Sequence, residues 1–404
     1  MNPTLVDRCF FAVPIKDGKG PQAAGAHVDD ILIAVDDEFY DQVLYPRVLK
    51  KLGVKEVHTC YNGTFTFTGC EVTQGEDFSV KIDMQKYIQE MEPIEIKKRM
   101  LKPQDQLTRE DRDEVMARCG KLNWLAVRVH CQLSFGVGNI LSRLKNGTRE
   151  LLKEVWELWN NAIENADYAL FYPADVVLDM MITMTDANHY LIPPESEESV
   201  EADYGKNTGA QFHFLTNKAQ IDAAYKATKD APAKVHVALL KWASARLRRI
   251  SVSTKHSELL SLATGTDHHI YLRQLMKGLL KVEHSLVLTD GLNTVQNVHS
   301  LAPSSEEKRL ILFLNLIREQ KLAKEFGDLG HVYDPFNIAD VGTKRNLDKK
   351  VCVQTQRTGQ MELYLKKLAE YGNAESAEAA AAAQKAEEAA AAARAAKKAK
   401  KTTG

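Results

Sequence analysis

Asp29 and Asp30 stand side by side in His27-Val28-Asp29-Asp30, ahead of the apolar run Ile31-Leu32-Ile33-Ala34. Successive side chains of a strand point to opposite faces, so one of the two carboxylates would be buried unless both lie on a tight turn. A β-hairpin turning at the pair removes that conflict and presents both carboxylates at an exposed tip. There they can hold a divalent cation, and an all-oxygen set suits Mg2+ or Mn2+. On residue types alone the stretch also reads as an ordinary acidic turn.

A second set of acids is spread along the chain. Asp186 ends the apolar run in "VVLDMMITMTDANHYL", and Glu258 comes early in a helix opened by "STKHSELLSL". Asp290 ends the strand in "HSLVLTDGLNTVQNV", and Asp340 lies near the start of a helix or turn in "IADVGTKRNLD". Acids so far apart form a site only if the fold gathers them. Two divalent cations about 3.5–4 Å apart need several shared carboxylates, and such a pair supports in-line attack of water on a phosphodiester. Each acid taken singly reads as an exposed surface group. Lys241, Trp242, Arg246 and Arg248 combine cations with an aromatic residue; they suit phosphate contacts that position a duplex without reading its sequence. The alternative is an exposed basic strand or helix edge. The basic run Lys97–Lys102 carries the same pair of readings.

The elements that must position these residues are legible from periodicity. A strand at Cys9–Val13, a turn at Asp17–Pro21 and a second strand frame the Asp29-Asp30 hairpin. Phe39, Val43, Leu44, Val48 and Leu52 predict a helix closed by Gly53. Strands are expected around Thr64–Thr73 and Phe78–Ile82, then a helix from near Met84. Thr108 and Asp111 have capping-box spacing. Leu122, Leu125, Leu133, Phe135, Val137 and Leu141 are expected to pack, as are Trp156 and Trp159 on a helix over Arg149–Ala166. From Val176 the pattern turns to strands: one ending at Asp186, one in "TGAQFHFLTNK", and one through Val235–Leu240. The stretch from Lys241 reads as strand or loop running into the Glu258 helix.

The 404 residues carry 53 Lys+Arg against 54 Asp+Glu, and 44% are hydrophobic. Two or three domains are the expectation. A charge so near neutrality argues against a purely electrostatic nucleic-acid binder, while leaving room for a nuclease whose acids offset its basic contacts. Six cysteines (Cys9, Cys60, Cys70, Cys119, Cys131, Cys352) show no zinc or disulfide spacing. No apolar run nears the roughly 20 residues that span a bilayer, and the N-terminus lacks a signal-peptide layout. Reduced thiols in an intracellular protein, cytoplasmic or nuclear, are expected.

"HVDDILIAVDD" resembles the Tyr-Val-Asp-Asp hairpin of reverse transcriptases, with His27 where tyrosine or phenylalanine is usual. "KKLGVKEV", "FTGCEVTQGEDFSVKIDMQKYIQEM" and "GKLNWLAVRVHCQLSFGVGNILSRL" are similar to successive segments of copia-type LTR retrotransposon polymerases. Arg128–Gln132 departs from that pattern, lacking its proline and aspartate. Asp186-Ala187, the Glu258 helix, the strand ending at Asp290 and "ADVGTK" at Asp340 resemble, in order, the four-acid series of the ribonuclease H domain in the same polyprotein. The likeness covers roughly residues 5 to 350.

It implies an α/β chain: an α+β polymerase palm remnant over 1–92, a helical thumb or connection over 93–172, and a ribonuclease H-like mixed-sheet domain over 173–350. A C-terminal helix and Ala/Lys/Glu-rich tail would occupy 351–404. Asp186, Glu258, Asp290 and Asp340 are then catalytic metal ligands for Mg2+ or Mn2+, and Asp29 and Asp30 are the polymerase pair. An RNA–DNA hybrid is the implied partner, with an upstream Pol fragment as a further one and no membrane. Ala202-Asp203 also resembles the first-acid motif; Asp186 is preferred because it follows a strand. His331 stands where some ribonucleases H keep a loop histidine, or is an ordinary surface residue. Asp7 lies too near the hairpin, and Asp17 sits in the turn, to supply the first palm acid, so polymerisation by this chain alone is not expected. The alternative to a nuclease is a nucleic-acid-binding or assembly module that has lost its chemistry.

Overall fold

A computed structural model describes residues 2–3, 9–13, 22–54, 56–59, 63–94, 104–189, 207–249, 251, 253–277, 279–300, 308–345 and 347–367. Asp7, Asp17, Cys60, the Lys97–Lys102 run, Asp203 and the tail from Ala374 lie outside them. Strands β1 (Asn2–Pro3), β2 (Phe10–Val13), β3 (Gln22–His27) and β4 (Asp30–Ala34) pair in that order. The expected hairpin is present: His27 pairs with Asp30 across a two-residue turn at Val28-Asp29. Val28 takes φ 56 there, a left-handed conformation that is strained for a β-branched residue. The following helix, Asp37–Phe39 continuing through Tyr40–Leu49 to Lys50–Leu52, ends at Gly53 with φ 67. Pro46 has no N–H to give it, and around Pro46 the turn widens so that Lys50 N–H reaches back to the Tyr45 carbonyl.

The single strand expected around Thr64–Thr73 is instead a hairpin of β5 (Thr64–Phe67) and β6 (Cys70–Gln74). Thr68 and Gly69, at φ 48 and 81, form the two-residue turn with both residues left-handed that suits strand twist. β7 (Val80–Asp83) and β8 (Ala169–Tyr172) complete that sheet, so the strand after the helices closes the sheet that precedes them. Between them lie helices Arg109–Ala126, Leu133–Arg143 and Glu150–Glu164. Thr108 and Asp111 do form the capping box. Leu122, Leu125, Leu133, Phe135, Val137, Trp156 and Trp159 are buried, whereas Leu141 is 42% exposed and does not pack as expected.

The large sheet runs, edge to edge, through β14 (Gln360–Leu363), β11 (Ala233–Arg246), β10 (Thr208–Thr216), β9 (Met180–Ala187), β12 (His284–Thr289), β13 (Asp328–Val332) and β15 (Leu365–Lys366). Its centre is β9; on one side β10 runs antiparallel to it, and β11 antiparallel to β10. On the other, β12 and β13 run parallel to it. The sheet is thus mixed, with antiparallel and parallel pairs meeting at β9. β11 is longer than the expected Val235–Leu240 strand: it continues through Lys241 and Trp242 to Arg246, so that stretch is strand and not loop. β14 and β15 add to its two edges, taking the sheet past residue 350.

One hydrophobic core extends from Cys70 to Leu365, joining the helical segment to one face of the large sheet. Cys131 and Cys352, far apart in sequence, meet in it with their thiol sulfurs 4.0 Å apart. The other face is covered by helix Thr254–Met276, which approaches closely because Ser257, Ser261 and Gly265 face the strands. A Cβ at Gly265 would lie 2.5 Å from Thr185 Cγ2. The layer between joins apolar groups, Leu259 and Leu262 clustered with Val287 and Leu329, and Leu272 with Met181, Leu215 and Ala238, to a buried polar set. Thr183 Oγ1 lies 2.7 Å from His213 Nδ1 and 2.8 Å from His269 Nδ1, and its one proton can serve only one of the two rings. Burial lowers His213 and brings His269 down to about 3, so both are neutral near pH 7. No helix among the described residues is long and apolar enough to cross a membrane.

Two measurements of stability follow. Gly265→Val should cost about 1–3 kcal/mol in urea unfolding through overpacking against Thr185, and an unchanged midpoint would contradict this helix–sheet contact. Histidines whose folded pKa is depressed bind protons first in the unfolded chain. Stability should therefore fall as pH drops from 6.5 towards about 3 for His269, by about 1.4 kcal/mol per pH unit for each such group. His269→Gln should flatten that fall by roughly one proton's worth, read from unfolding midpoints across the same window.

Candidate active site

β9 and β12 run parallel in register, with Thr185 opposite Thr289. The next residues are Asp186 and Asp290, so pairing alone brings two carboxylates together at the C-terminal ends of neighbouring strands. Glu258 arrives from the start of helix Thr254–Met276, its carboxylate so close to Gly291 that a Cβ there would strike it. Asp340 lies in the short helical turn Ile338–Gly342, which is seated on β10: a Cβ at Gly342 would be 2.5 Å from Ala210 Cβ. Asp186 and Asp340 are each 4% exposed. The fold thus gathers the four acids around one end of the sheet.

Their electrostatics follow from that crowding. Burial, then the charge of Asp186, raises Glu258 to about 7. Burial, then Asp186 and Glu258, raises Asp290 to about 7. Asp186 is also raised by burial, against a hydrogen bond from the Thr343 hydroxyl. Asp290 Oδ1 is buried without a well-formed hydrogen bond, the Asn337 amide giving only partial relief. His331 Nε2 donates to the Asp290 carbonyl at 3.1 Å. At 9% exposure, and edge-on to Tyr333, His331 is not the ordinary surface residue that one reading allowed.

Asp340 has different company. Lys344 forms an ion pair with its Oδ1, and Lys349 Nζ lies 2.9 Å from its Oδ2. Lys349 is itself buried and donates to the Asp334 carbonyl at 2.7 Å. Among the described residues, no three of His, Cys, Asp and Glu stand in metal-holding geometry. The donor set nonetheless suits a hard divalent cation: carboxylate oxygens only, mutually repelling, one of them buried and poorly satisfied. Asn337, Thr343, Lys344 and Lys349, which hold these acids, were not singled out from sequence. The only available signal was their position within a few residues of Asp340.

Asp29 and Asp30 stay exposed at their hairpin tip, with no third acid in metal-holding place among the described residues. Trp242 is a packing residue: its indole N–H donates to the Ala126 carbonyl at 2.8 Å, and its ring lies on the core. Lys241 is half-buried, and its charge acts on His213 and His268. Arg246 and Arg248 are exposed. A further cation–aromatic pair escaped the sequence reading: the half-buried Arg128 guanidinium, which donates to the Thr68 hydroxyl, lies 4.4 Å from the ring centre of Trp124, itself 38% exposed.

No protein-family profile and no curated protein sequence matches this chain. Among solved structures it is similar to ribonuclease H1 from the halophilic archaeon Halobacterium salinarum NRC-1, at 9% identity over 42% of this chain and 96% of that one, with a TM-score of 0.26. It is also similar to a foamy viral protease-reverse transcriptase solved with double-stranded DNA, at 13% identity and TM-score 0.37, covering 77% of this chain and 46% of that one. The foamy viral enzyme solved with an RNA/DNA hybrid gives 12%, 0.35, 77% and 35%. The chain therefore spans less than half the length of those two viral chains.

Proposed function

We propose that this chain is a retrotransposon-derived reverse transcriptase–ribonuclease H fragment of copia type, and that its four-acid site hydrolyses the RNA strand of RNA–DNA hybrids. The observation that carries the reading is the in-register pairing of β9 and β12, which sets Asp186 beside Asp290 with Glu258 against them. Mg2+ or Mn2+, held by Asp186, Glu258, Asp290 and Asp340, would supply a polarised water and a counter-charge for the leaving oxygen. The chain's own residues do the positioning. Thr343 fixes the Asp186 carboxylate, and His331 ties the Asp290 backbone to β13. Arg246 and Arg248 on and beyond β11, and the Arg128–Trp124 pair, offer phosphate and stacking contacts for a duplex. Asp29 and Asp30 would be the remnant polymerase pair, and an upstream Pol fragment, if supplied as another chain, would be a protein partner.

A second reading is a nucleic-acid-binding module without chemistry. The observation favouring it is that both carboxylate oxygens of Asp340 are paired with lysines, Lys344 and Lys349. Cleavage of a labelled RNA–DNA hybrid with Mg2+ or Mn2+ separates the two. The wild-type protein should cleave the RNA strand, and Asp290→Asn should lose about 100-fold or more. Well-folded wild-type protein that binds the hybrid without cutting it would leave the binding reading in place. In the same hybrid-binding assay, Arg248→Ala should weaken affinity uniformly across sequences and reduce the salt slope by about one counterion; an unchanged slope would remove Arg248 from the interface.

A further inference from the structure

Lys344 lies where its charge acts on each of the four acids. It pairs with Asp340, and its field lowers Asp186, Glu258 and Asp290. Burial alone would lower the Lys344 ammonium, yet Asp340, Asp186 and Asp334 hold it above the ordinary lysine range. Its backbone is fixed on both sides. Thr343 and Lys344 N–H groups donate to the Asp340 carbonyl at 3.2 and 3.0 Å, and the Thr343 hydroxyl meets Asp186. Arg345, the next residue, is bound to Glu157 at 2.7 Å and to Glu154 at 3.7 Å on helix Glu150–Glu164. The side chain differs from that of Lys349: the Lys344 side chain is 46% exposed, against 7% for Lys349. A flexible four-carbon stem rooted in a fixed backbone, half open to water, can leave the acids without disturbing the fold.

We propose that Lys344 is a tethered counterion that occupies the acidic set when no divalent cation is bound and swings into solvent when one enters. The proposal rests on the metal-site reading above. A buried cluster of carboxylates with no compensating charge is costly, and the ammonium offsets that cost within the chain itself. Metal entry then exchanges one cation for another. Lys349, enclosed and bound to the Asp334 carbonyl, stays with Asp340. Metal affinity is thereby reduced by the strength of the Lys344 contacts, and the metal-free protein keeps its folded form.

The test is Mn2+ binding followed by calorimetry on the full-length chain, with thermal melts in EDTA and in Mg2+. Lys344→Met should bind Mn2+ about tenfold more tightly than wild type, the loss of one close charge competitor. It should also melt lower in EDTA and gain more from Mg2+, while Lys344→Arg stays near wild type. Equal or weaker Mn2+ binding by Lys344→Met, with binding still abolished by Asp290→Asn, overturns the lysine's role and leaves the metal site standing. Absence of Asp290-dependent binding in both proteins overturns the metal reading and the proposal with it. A measurement on wild type alone guards against a variant that fails to fold. Brief acylation read by mass spectrometry should label Lys344 several-fold more with Mg2+ than without, and Asp290→Asn should remove the increase. Labelling that is unchanged or lower with Mg2+ counts against displacement.

Discussion

The pairing of β9 with β12 is the constraint on which the site depends. Parallel strands in register end together, so the residues that follow Thr185 and Thr289 must be neighbours. Both are aspartates. Once two carboxylates are fixed side by side and buried, the rest of the site is a response to their charge. Glu258 joins from the covering helix; burial, and then the neighbouring carboxylates, raise both it and Asp290. Thr343, Asn337, Lys344 and Lys349 then stabilise what would otherwise be uncompensated charge. All four belong to the stretch beyond β13, and the turn Ile338–Gly342 within it sits close on β10 because Gly342 carries no Cβ.

That turn also connects the site to the helical segment. Arg345 reaches Glu154 and Glu157, and Glu154 is bound in addition by Arg143. Trp242 on β11 reaches the Ala126 carbonyl at the end of helix Arg109–Ala126. The shared core from Cys70 to Leu365 makes the same connection in apolar terms. The helices expected to serve only as a thumb or connection thus form one wall of the large sheet. The covering helix Thr254–Met276 makes the opposite wall with small and polar residues among its apolar ones, which accounts for its weak amphipathic pattern. Part of its sheet-facing side meets Thr183, Thr185, Gln211 and His213, beside the apolar clusters that Leu259, Leu262 and Leu272 form with the strands.

Periodic patterns and strand-end acids were legible without coordinates, because backbone alternation and helical spacing are local properties of the chain. The hairpin at Asp29-Asp30, the capping box at Thr108, the buried tryptophans of helix Glu150–Glu164 and the strands ending near Asp186 and Asp290 all follow from neighbours a few residues apart. The turn at Thr68-Gly69 was available to the same reasoning and was overlooked within a continuous run of β-forming residues. Leu141 has the composition of a core residue but lies on the open side of its helix, a matter of how three helices pack.

What the sequence determined by itself was the order of strands and helices and the positions of the acids, since both depend on short-range geometry. The tertiary structure decided which charges face one another. Cys131 meets Cys352, Trp242 packs against the core, His331 is enclosed, and Lys344 and Lys349 hold Asp340. Each of these depends on burial and on distances between segments far apart in the chain. Electrostatic energy varies with the separation and surroundings of two charges, and a sequence specifies neither until the strands have paired.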